Sequence, residues 1–386
     1  IFTPVSTLAN VVAVPLCMLV LASNLASLLL AGWLPAGAII FNHAGRHLMD
    51  WIHGSSEWFA GLPHAYAYVA TPNWFTIALY YLMLLAIVTG WLFKVQGRKW
   101  KCASVIFLLA VWCGQWWREQ SAMRLTILPL NGGNVIYCDA PGSRNDLLID
   151  CGNERSGFVL KPYLQAQGVD SLPRVVLTHG AEGQIGGFKN LQTQVTIGKV
   201  VTSAVRFRSP AYREVIQFLE RSPGWQQVVN CGDKFSNWTV LHPGGMNSFP
   251  HADDNPLVLR GEFSGTRILL LSNLGRPGQE ALLERCTDLG ADIVVAGLPE
   301  ENEPLKDALL EAINPRLIII ADSELPAKQR ASRALRERLE KRGVPVLCTS
   351  EMGAVKISLR GNGWEATTVD GLRWAANSQE KTAAPR

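Results

Sequence analysis

Arg174-Val175-Val176-Leu177-Thr178-His179-Gly180-Ala181-Glu182-Gly183-Gln184-Ile185-Gly186-Gly187 is the stretch on which the fold of this chain turns. Its opening is a short unbroken apolar run, the mark of a strand buried on both faces. The run ends at His179 in a loop rich in glycine, so a polar side chain sits at a buried strand end. Upstream, β-like runs over 124–130, 134–138 and 146–150 are separated by turns at Asn131-Gly132-Gly133 and Pro141-Gly142-Ser143. A helical stretch over 158–167 ends at Gly168 as its cap. Downstream the plan repeats, with strands over 238–241, 257–262, 267–271, 293–296, 317–321, 346–349 and 354–359. Helices are expected over 279–289, 305–313 and 327–342. Two β-rich halves with helices outside predict an α+β fold, an αββα layered sandwich, over residues 119–372. The polar tail 373–386 is expected to be disordered.

The part before the sandwich, residues 1–118, has a different composition. It contains only six basic residues and two acidic ones, and none at all before Arg46. The remainder carries 30 of each sign, so the net +4 belongs to the first part. A neutral sandwich has no global field to draw in nucleic acid, and any such contact must rest on a local patch. A bilayer span needs roughly 20 apolar residues. Runs near 9–30, 74–93 and 102–117 fit three transmembrane helices, the last by letting its flanking charges snorkel. No basic segment precedes the first run, which argues against a signal peptide, and the opening reads as a piece of a longer membrane protein. Between the first two runs, Phe41, Leu48, Trp51, Ile52, Trp58, Phe59 and Leu62 recur at helical spacing. That stretch, 41–62, reads as an amphipathic interfacial helix, with His43, His47 and Asp50 on its polar side. Lys94, Arg98, Lys99 and Lys101 mark the following loop as cytoplasmic. That orientation leaves the sandwich on the extracytoplasmic side.

Longer strings then fall into order. The first part carries Thr3-Pro4-Val5-Ser6-Thr7-Leu8-Ala9-Asn10, Val14-Pro15-Leu16 and Leu79-Tyr80-Tyr81-Leu82. The sandwich carries Leu147-Leu148-Ile149-Asp150 with Gly152, then Pro162-Tyr163-Leu164 with Leu160 and Gly168. Val176-Leu177-Thr178-His179 and Val240-Leu241-His242-Pro243 follow. Asp254-Asn255-Pro256-Leu257-Val258-Leu259-Arg260, Val344-Pro345-Val346 and Gly353-Ala354-Val355 close the series. In this order, behind membrane spans, they make the chain resemble the ComEC family of competence proteins, the DNA-internalisation channels, over nearly its whole length. The resemblance implies the end of a membrane channel domain followed by a metallo-β-lactamase-like domain.

The resemblance also implies where metal would sit, and there the chain departs. The family's loop reads Ser/Thr-His-x-Asp-x-Asp-His-x-Gly-Gly; here His179 stands alone, and Ala181, Gly183 and Gln184 occupy the other ligand positions. The family's bridging Asp is Asn273 here, and its His-His-Gly-Ser run is Leu298-Pro299-Glu300-Glu301. Its early Asp-x-Gly-x-Gly-Asp turn is Pro129-Leu130-Asn131-Gly132-Gly133-Asn134. Hydrolysis in this fold uses Zn²⁺ or Mn²⁺ held by His and ionised carboxylates, which lower the pKa of bound water to about 7. Ala and Gly offer no donor, and Asn and Gln only a neutral carbonyl oxygen. No cofactor is therefore expected; Zn or Mn would be held only through the residual donors His179 and Glu182. By resemblance the chain belongs to a multi-pass channel of the bacterial inner membrane. Its partners are single-stranded DNA, the lipid bilayer, other competence proteins or a second copy, and its sandwich is non-catalytic. Two other readings stand beside it: a metal-dependent phosphodiesterase degrading the non-transported strand, and a membrane-anchored scaffold unrelated to DNA. Arg206, Arg208 and Arg213 form the best local patch for phosphates. The basic residues over 328–342 are interleaved with Glu and read as an ordinary charged surface. His251, Asp253 and Asp254 read as a solvated loop.

Overall fold

The computed structural model describes residues 2–63, 65–72, 74–91, 98–120, 122–142, 145–222, 224–244, 249–301, 303–361 and 363–377. The chain divides into two compact units, Ile1–Thr71 with Tyr163–Asp170, and Pro72–Pro162 with Ser171–Arg386.

In the first unit, α1 (Ser6–Leu30) and α2 (Pro35–Ala60) form a helical hairpin. The less exposed positions of α1 include Ala9, Ala13, Leu16, Val20, Ser23, Ser27 and Leu30, alternately four and three residues apart. This is the spacing of a helix–helix seam. The partner positions on α2 are Ala38, Gly45, Leu48, Ile52, Ser55 and Phe59. Ser27 Oγ donates to the Ala38 carbonyl at 3.1 Å. A Cβ added at Gly45 would stand 3.1 Å from Asn24 Oδ1. Small residues thus let the two backbones approach closely. α2 is longer than the expected interfacial stretch, and the apolar stripe read there is divided. Leu48, Ile52 and Phe59 face the seam, whereas Trp51 and Trp58 point outward. His43, His47 and Asp50 are exposed.

At about 1.5 Å per residue, α1 is roughly 38 Å long, enough for about 30 Å of hydrocarbon. Among the described residues it is the one helix long and apolar enough to cross a membrane. The second unit opens with α3 (Trp74–Val88) and α4 (Arg98–Gln120). α3 and the apolar section Ala103–Gly114 are shorter than a span. Residues 92 and 93 of the second expected run, and Lys94 of the basic loop, lie outside the described residues.

Among the described residues, sixteen strands follow in two sheets. β1 (Met123–Leu130), β2 (Gly133–Asp139), β3 (Leu147–Ile149), β4 (Ser171–Leu177), β5 (Thr196–Ser203) and β6 (Gln226–Val229) belong to the first. β7 (Lys234–Phe235), β8 (Trp238–His242), β9 (Val258–Phe263), β10 (Thr266–Ser272), β11 (Ile293–Ala296), β12 (Leu317–Ile320) and β13 (Val346–Cys348) make the second. β14 (Val355–Arg360), β15 (Gly363–Thr368) and β16 (Arg373–Asn377) return to the first. The sheet orders are β16-β15-β14-β1-β2-β3-β4-β5-β6 and β13-β12-β11-β10-β9-β8-β7. Each sheet joins an antiparallel part to a parallel part, β3 to β6 in one and β10 to β13 in the other. Helices α5 (Gly157–Ala166), α6 (Glu182–Ile185), α7 (Phe188–Gln192) and α8 (Pro210–Glu220) lie along the first half. Helices α9 (Arg276–Arg285), α10 (Asp307–Ile313), α11 (Arg333–Glu340) and α12 (Thr349–Met352) lie along the second.

The alternation of strand side chains makes the layers. Ile268, Leu270, Ile293, Val295, Leu317 and Ile319 join Leu125, Ile127, Ile136 and Val176 in one buried cluster between the sheets. Their neighbours Leu269, Leu271, Val294, Ile318 and Ile320 join Leu282, Leu309, Leu310 and Leu335 of the helices in another. Strands buried on both faces with helices outside are the expected αββα sandwich. Cys138, Cys151 and Cys348 are buried free thiols, and Cys231 and Cys286 are half-buried.

Three expectations change. The helix over 327–342 is broken: the Asp322 carboxylate accepts the Ala331 amide at 3.0 Å, and Ser332 then caps a new helix, α11, through the Leu335 amide. The tail is not disordered from 373, because Trp374 and Ala376 alternate onto the core and Arg373–Asn377 pairs with β15. Residues 378–386 lie outside the described residues. β5, α8 and β6 form around the Arg206, Arg208 and Arg213 patch, where no element is expected from the sequence.

Trp374→Ala should lower the stability of the purified chain by about 2 kcal/mol, less than the ~3–5 of a fully buried aromatic. A thermal midpoint equal to that of the parent chain would remove β16 from the core.

Candidate functional site

The ends of β3, β4 and β10 meet on Thr178. Its amide and hydroxyl both donate to the Asp150 carboxylate, at 2.7 and 2.6 Å, and its Oγ1 lies 2.8 Å from Ser272 Oγ. Asp150 and Ser272 both hold positive φ, 59° and 50°, conformations a non-glycine residue keeps only when its surroundings fix it. Burial pushes the Asp150 carboxyl up to about 7, against the two bonds from Thr178 that hold it down. One residue on, His179 is buried.

One ring nitrogen of His179 is hydrogen-bonded and the other faces a carboxylate. Nδ1 accepts the Ala181 amide at 3.0 Å. That assigns the proton to Nε2, which stands 3.1 Å from Asp253 Oδ1, off the line of a good hydrogen bond. Phe207 packs on the same ring, with centroids 5.3 Å apart. Asp253 is held from its other side, where Oδ2 accepts the Glu300 amide at 2.6 Å. Asp254 is buried and accepts from the Gly278 amide. The loop read as solvated is therefore closed onto the site. Of His251, Asp253 and Asp254, His251 alone is exposed, 3.9 Å from Glu301.

The remaining family ligand positions lie around this pair without joining it. Ala181 precedes α6, with no polar side-chain atom. At Gly183 a Cβ would stand 2.7 Å from the Gly132 carbonyl, and one at Gly133 would stand 2.2 Å from the Gly183 carbonyl. The turn between β1 and β2 thus lies backbone to backbone on the loop, leaving no room for a ligand at 183. Gln184 is buried, and its Oε1 finds no partner. Asn273 meets the Asn134 amide at 3.4 Å and covers Gly297, where a Cβ would collide with it at 2.0 Å. Glu182 is exposed and lines a separate pocket of about 690 Å³ with Glu154 and Glu214. Among the described residues, no three His, Cys, Asp or Glu side chains come together so as to hold an ion. The donors present, one imidazole already facing one carboxylate, do not fit the two-metal centre the fold family would carry.

His242 lies deeper. Its Nε2 bonds the Asp254 carbonyl at 2.8 Å, its Nδ1 has no partner, and its ring stacks on Phe249. Burial pushes it down to about 4, so it stays neutral near pH 7.

On the outer side of Phe207 the chain opens a pocket of about 520 Å³ lined by Arg206, Phe207, Arg208, Tyr212 and Arg213. Arg206 pairs with Glu220 at 3.3 Å. Arg213 donates to the Arg208 carbonyl at 3.0 Å. Among the described residues, neither Arg208 nor Arg213 has a carboxylate within 4.0 Å. The basic residues of α11 and of the turn after it are instead paired: Arg333 with Glu337, Arg336 with Glu351, and Arg338 and Arg342 with Asp307.

The Competence protein family profile matches residues 1–94. Competence protein ComA of Neisseria gonorrhoeae is 24% identical over 370 residues, 94% of this chain and 49% of that protein. ComE operon protein 3 of Bacillus subtilis (strain 168) is 22% identical over 304 residues, 73% of this chain and 38% of that protein. The chain is similar to competence proteins of the ComEC family. It spans less than half the length of both relatives. Solved structures similar to this chain include metallo-β-lactamase SMB-1, at 18% identity and a TM-score of 0.33, over 46% of this chain and 77% of that one. Another is Igni18, a metallo hydrolase of Ignicoccus hospitalis, at 12% identity and a TM-score of 0.39, over 62% of this chain and all of that one.

The stability contributed by neutral His242 is fully present above its ordinary value of 6.5 and lost as pH falls through about 4. His242→Gln, which can keep a donor toward the Asp254 carbonyl, should therefore lose less of its thermal midpoint between pH 7 and pH 4 than the parent chain does. Parallel curves for the two proteins would contradict this.

Proposed function

We propose that this chain is part of a competence-type inner-membrane channel for transforming single-stranded DNA, and that its sandwich is a non-catalytic surface beside the path of the strand. The carrying observation is the similarity to two competence proteins, one of them over 94% of this chain. The helical part would lie in the bilayer, with α1 as one span and the runs near 74–93 and 102–117 as two more. Lys94 and the first turn of α4, which carries Arg98, Lys99 and Lys101 and is helix where the sequence predicts a loop, would be on the cytoplasmic side, and the sandwich extracytoplasmic.

The donor set argues against hydrolysis. Polarising a phosphodiester and generating hydroxide at neutral pH both need a firmly held metal. Here the position of one ligand has no space for a side chain, and the bridging carboxylate is an amide. The imidazole already faces a carboxylate. No cofactor is assigned to the sandwich. What it does offer an anionic strand is Arg208 and Arg213, cations without a protein counter-charge among the described residues. Partners of the same kind as the relatives, or further copies of this chain, would complete the channel.

Arg208→Glu with Arg213→Glu should weaken binding of a labelled single-stranded oligonucleotide to the purified chain roughly tenfold at low salt. The salt slope should fall by about one for each phosphate no longer neutralised. Unchanged affinity would remove this patch from the path. Transformation of a strain lacking the gene decides the wider reading. Restored DNA uptake supports a channel, and normal uptake in the deleted strain supports a scaffold unrelated to DNA.

A further inference from the structure

We propose that α2 is a second membrane-crossing helix, and that its face opposite α1 lines a water-filled path. This rests on the membrane reading given above and names the helix face that meets water. α1 and α2 lie within one compact unit. The seam between them is set by the bond from Ser27 to the Ala38 carbonyl and by the approach of Asn24 to Gly45. It continues to Ala9 on α1 and to Phe59 on α2. Seam positions spaced alternately by three and four residues along both helices belong to helices that run nearly side by side. At about 1.5 Å per residue, α2 is roughly 39 Å long, as long as α1. A helix packed along the length of a membrane span crosses with it. α2 therefore does not lie flat in the interface, the place expected for 41–62 from the sequence.

The two outer faces of this hairpin differ in kind. α1 contains no Asp, Glu, Lys, Arg or His. Opposite its seam stand Val11, Val14, Met18, Leu25 and Leu29, all exposed, a surface suited to lipid. On α2, His43, Arg46, Asp50, His53 and Glu57 recur at alternate spacings of three and four residues, with His47 beside them, and all six are exposed. At about 100° per residue, this stripe centres roughly 180° from the seam. Among the described residues, His53 and Glu57 pair at 3.2 Å, and the others of the set make no ion pair. His47 and Asp50 fall at the middle of α2. That is the depth at which an ionisable side chain is most costly in hydrocarbon, and such groups persist there by facing a water-filled cavity or one another. Six of them, of both signs and largely unpaired, run the length of the helix, which suits a continuous column of water. The hairpin is then a wall, with lipid behind α1 and water before α2.

The test places single cysteines in the full chain and reads labelling at each site by peptide mass spectrometry. Two reagents are applied to both faces of native membranes: a small, charged methanethiosulfonate, and a maleimide carrying a bulky polyethylene glycol chain. At His43→Cys, His47→Cys, Asp50→Cys and His53→Cys the small reagent should react at least about tenfold faster than at Met18→Cys and Leu25→Cys, because hydrocarbon excludes a charged group. The bulky reagent should fail at His47→Cys and Asp50→Cys, halfway along the path. If the small reagent is as slow at His47→Cys and Asp50→Cys as at Met18→Cys, protein covers the face; the proposal is overturned and the membrane reading stands. Full reaction of those two sites with the bulky reagent also overturns it, since α2 then lies on a surface. Fast reaction of the small reagent at Met18→Cys and Leu25→Cys removes the membrane reading and this inference together.

Discussion

The hydrogen-bonded chain Asp150–Thr178–Ser272 fixes the end of the sandwich where function would be built. It joins the ends of β3 and β4 in one sheet to the end of β10 in the other. A buried carboxyl accepting two bonds from one threonine is costly to disturb. Its ends are held at two strained backbone positions. Everything nearby takes its place from it: His179 follows Thr178 directly, and Asn273 follows Ser272. A scaffold this firmly tied can keep its shape whatever side chains stand around it.

The replacements are physically consistent with one another. Once Gly183 stands where a bulky ligand would be, the Gly132–Gly133 turn can lie directly on the loop. Once no cation claims the imidazole, Asp253 can approach Nε2. Once the bridging position is an amide, it can rest over Gly297 and meet another amide at Asn134. Each change removes a charge or a donor that would otherwise stand unpaired in a buried place. Fold and chemistry are separable, and under the proposed function the sandwich would serve as a surface without a metal.

Much of this was legible in the sequence, because it is local. The unbroken apolar run before His179, the turn at Asn131-Gly132-Gly133 and the Gly168 cap all encode their own geometry. Helix α8 carries its own signal too: Ser209-Pro210 caps it, and Tyr212, Val215, Ile216 and Leu219 follow at helical spacing. The seam of α1 and α2 was harder, because alanine, serine and glycine carry little hydropathy while deciding how near two helices come. The pairing of His179 with Asp253 was not legible at all. The two lie 74 positions apart in sequence, and only the stacking of the sheets brings them together. The same holds for Asp322, which breaks a helix that local propensity alone would continue.

Metal content tests the central claim most directly. The chain would be purified without chelators, equilibrated with zinc or manganese, freed of loose ions and analysed by inductively coupled plasma mass spectrometry. A site closed by an imidazole–carboxylate pair should retain far less than one ion per chain, with His179→Ala indistinguishable from the parent. One or more tightly held ions per chain, lost in His179→Ala and accompanied by cleavage of DNA, would contradict the account.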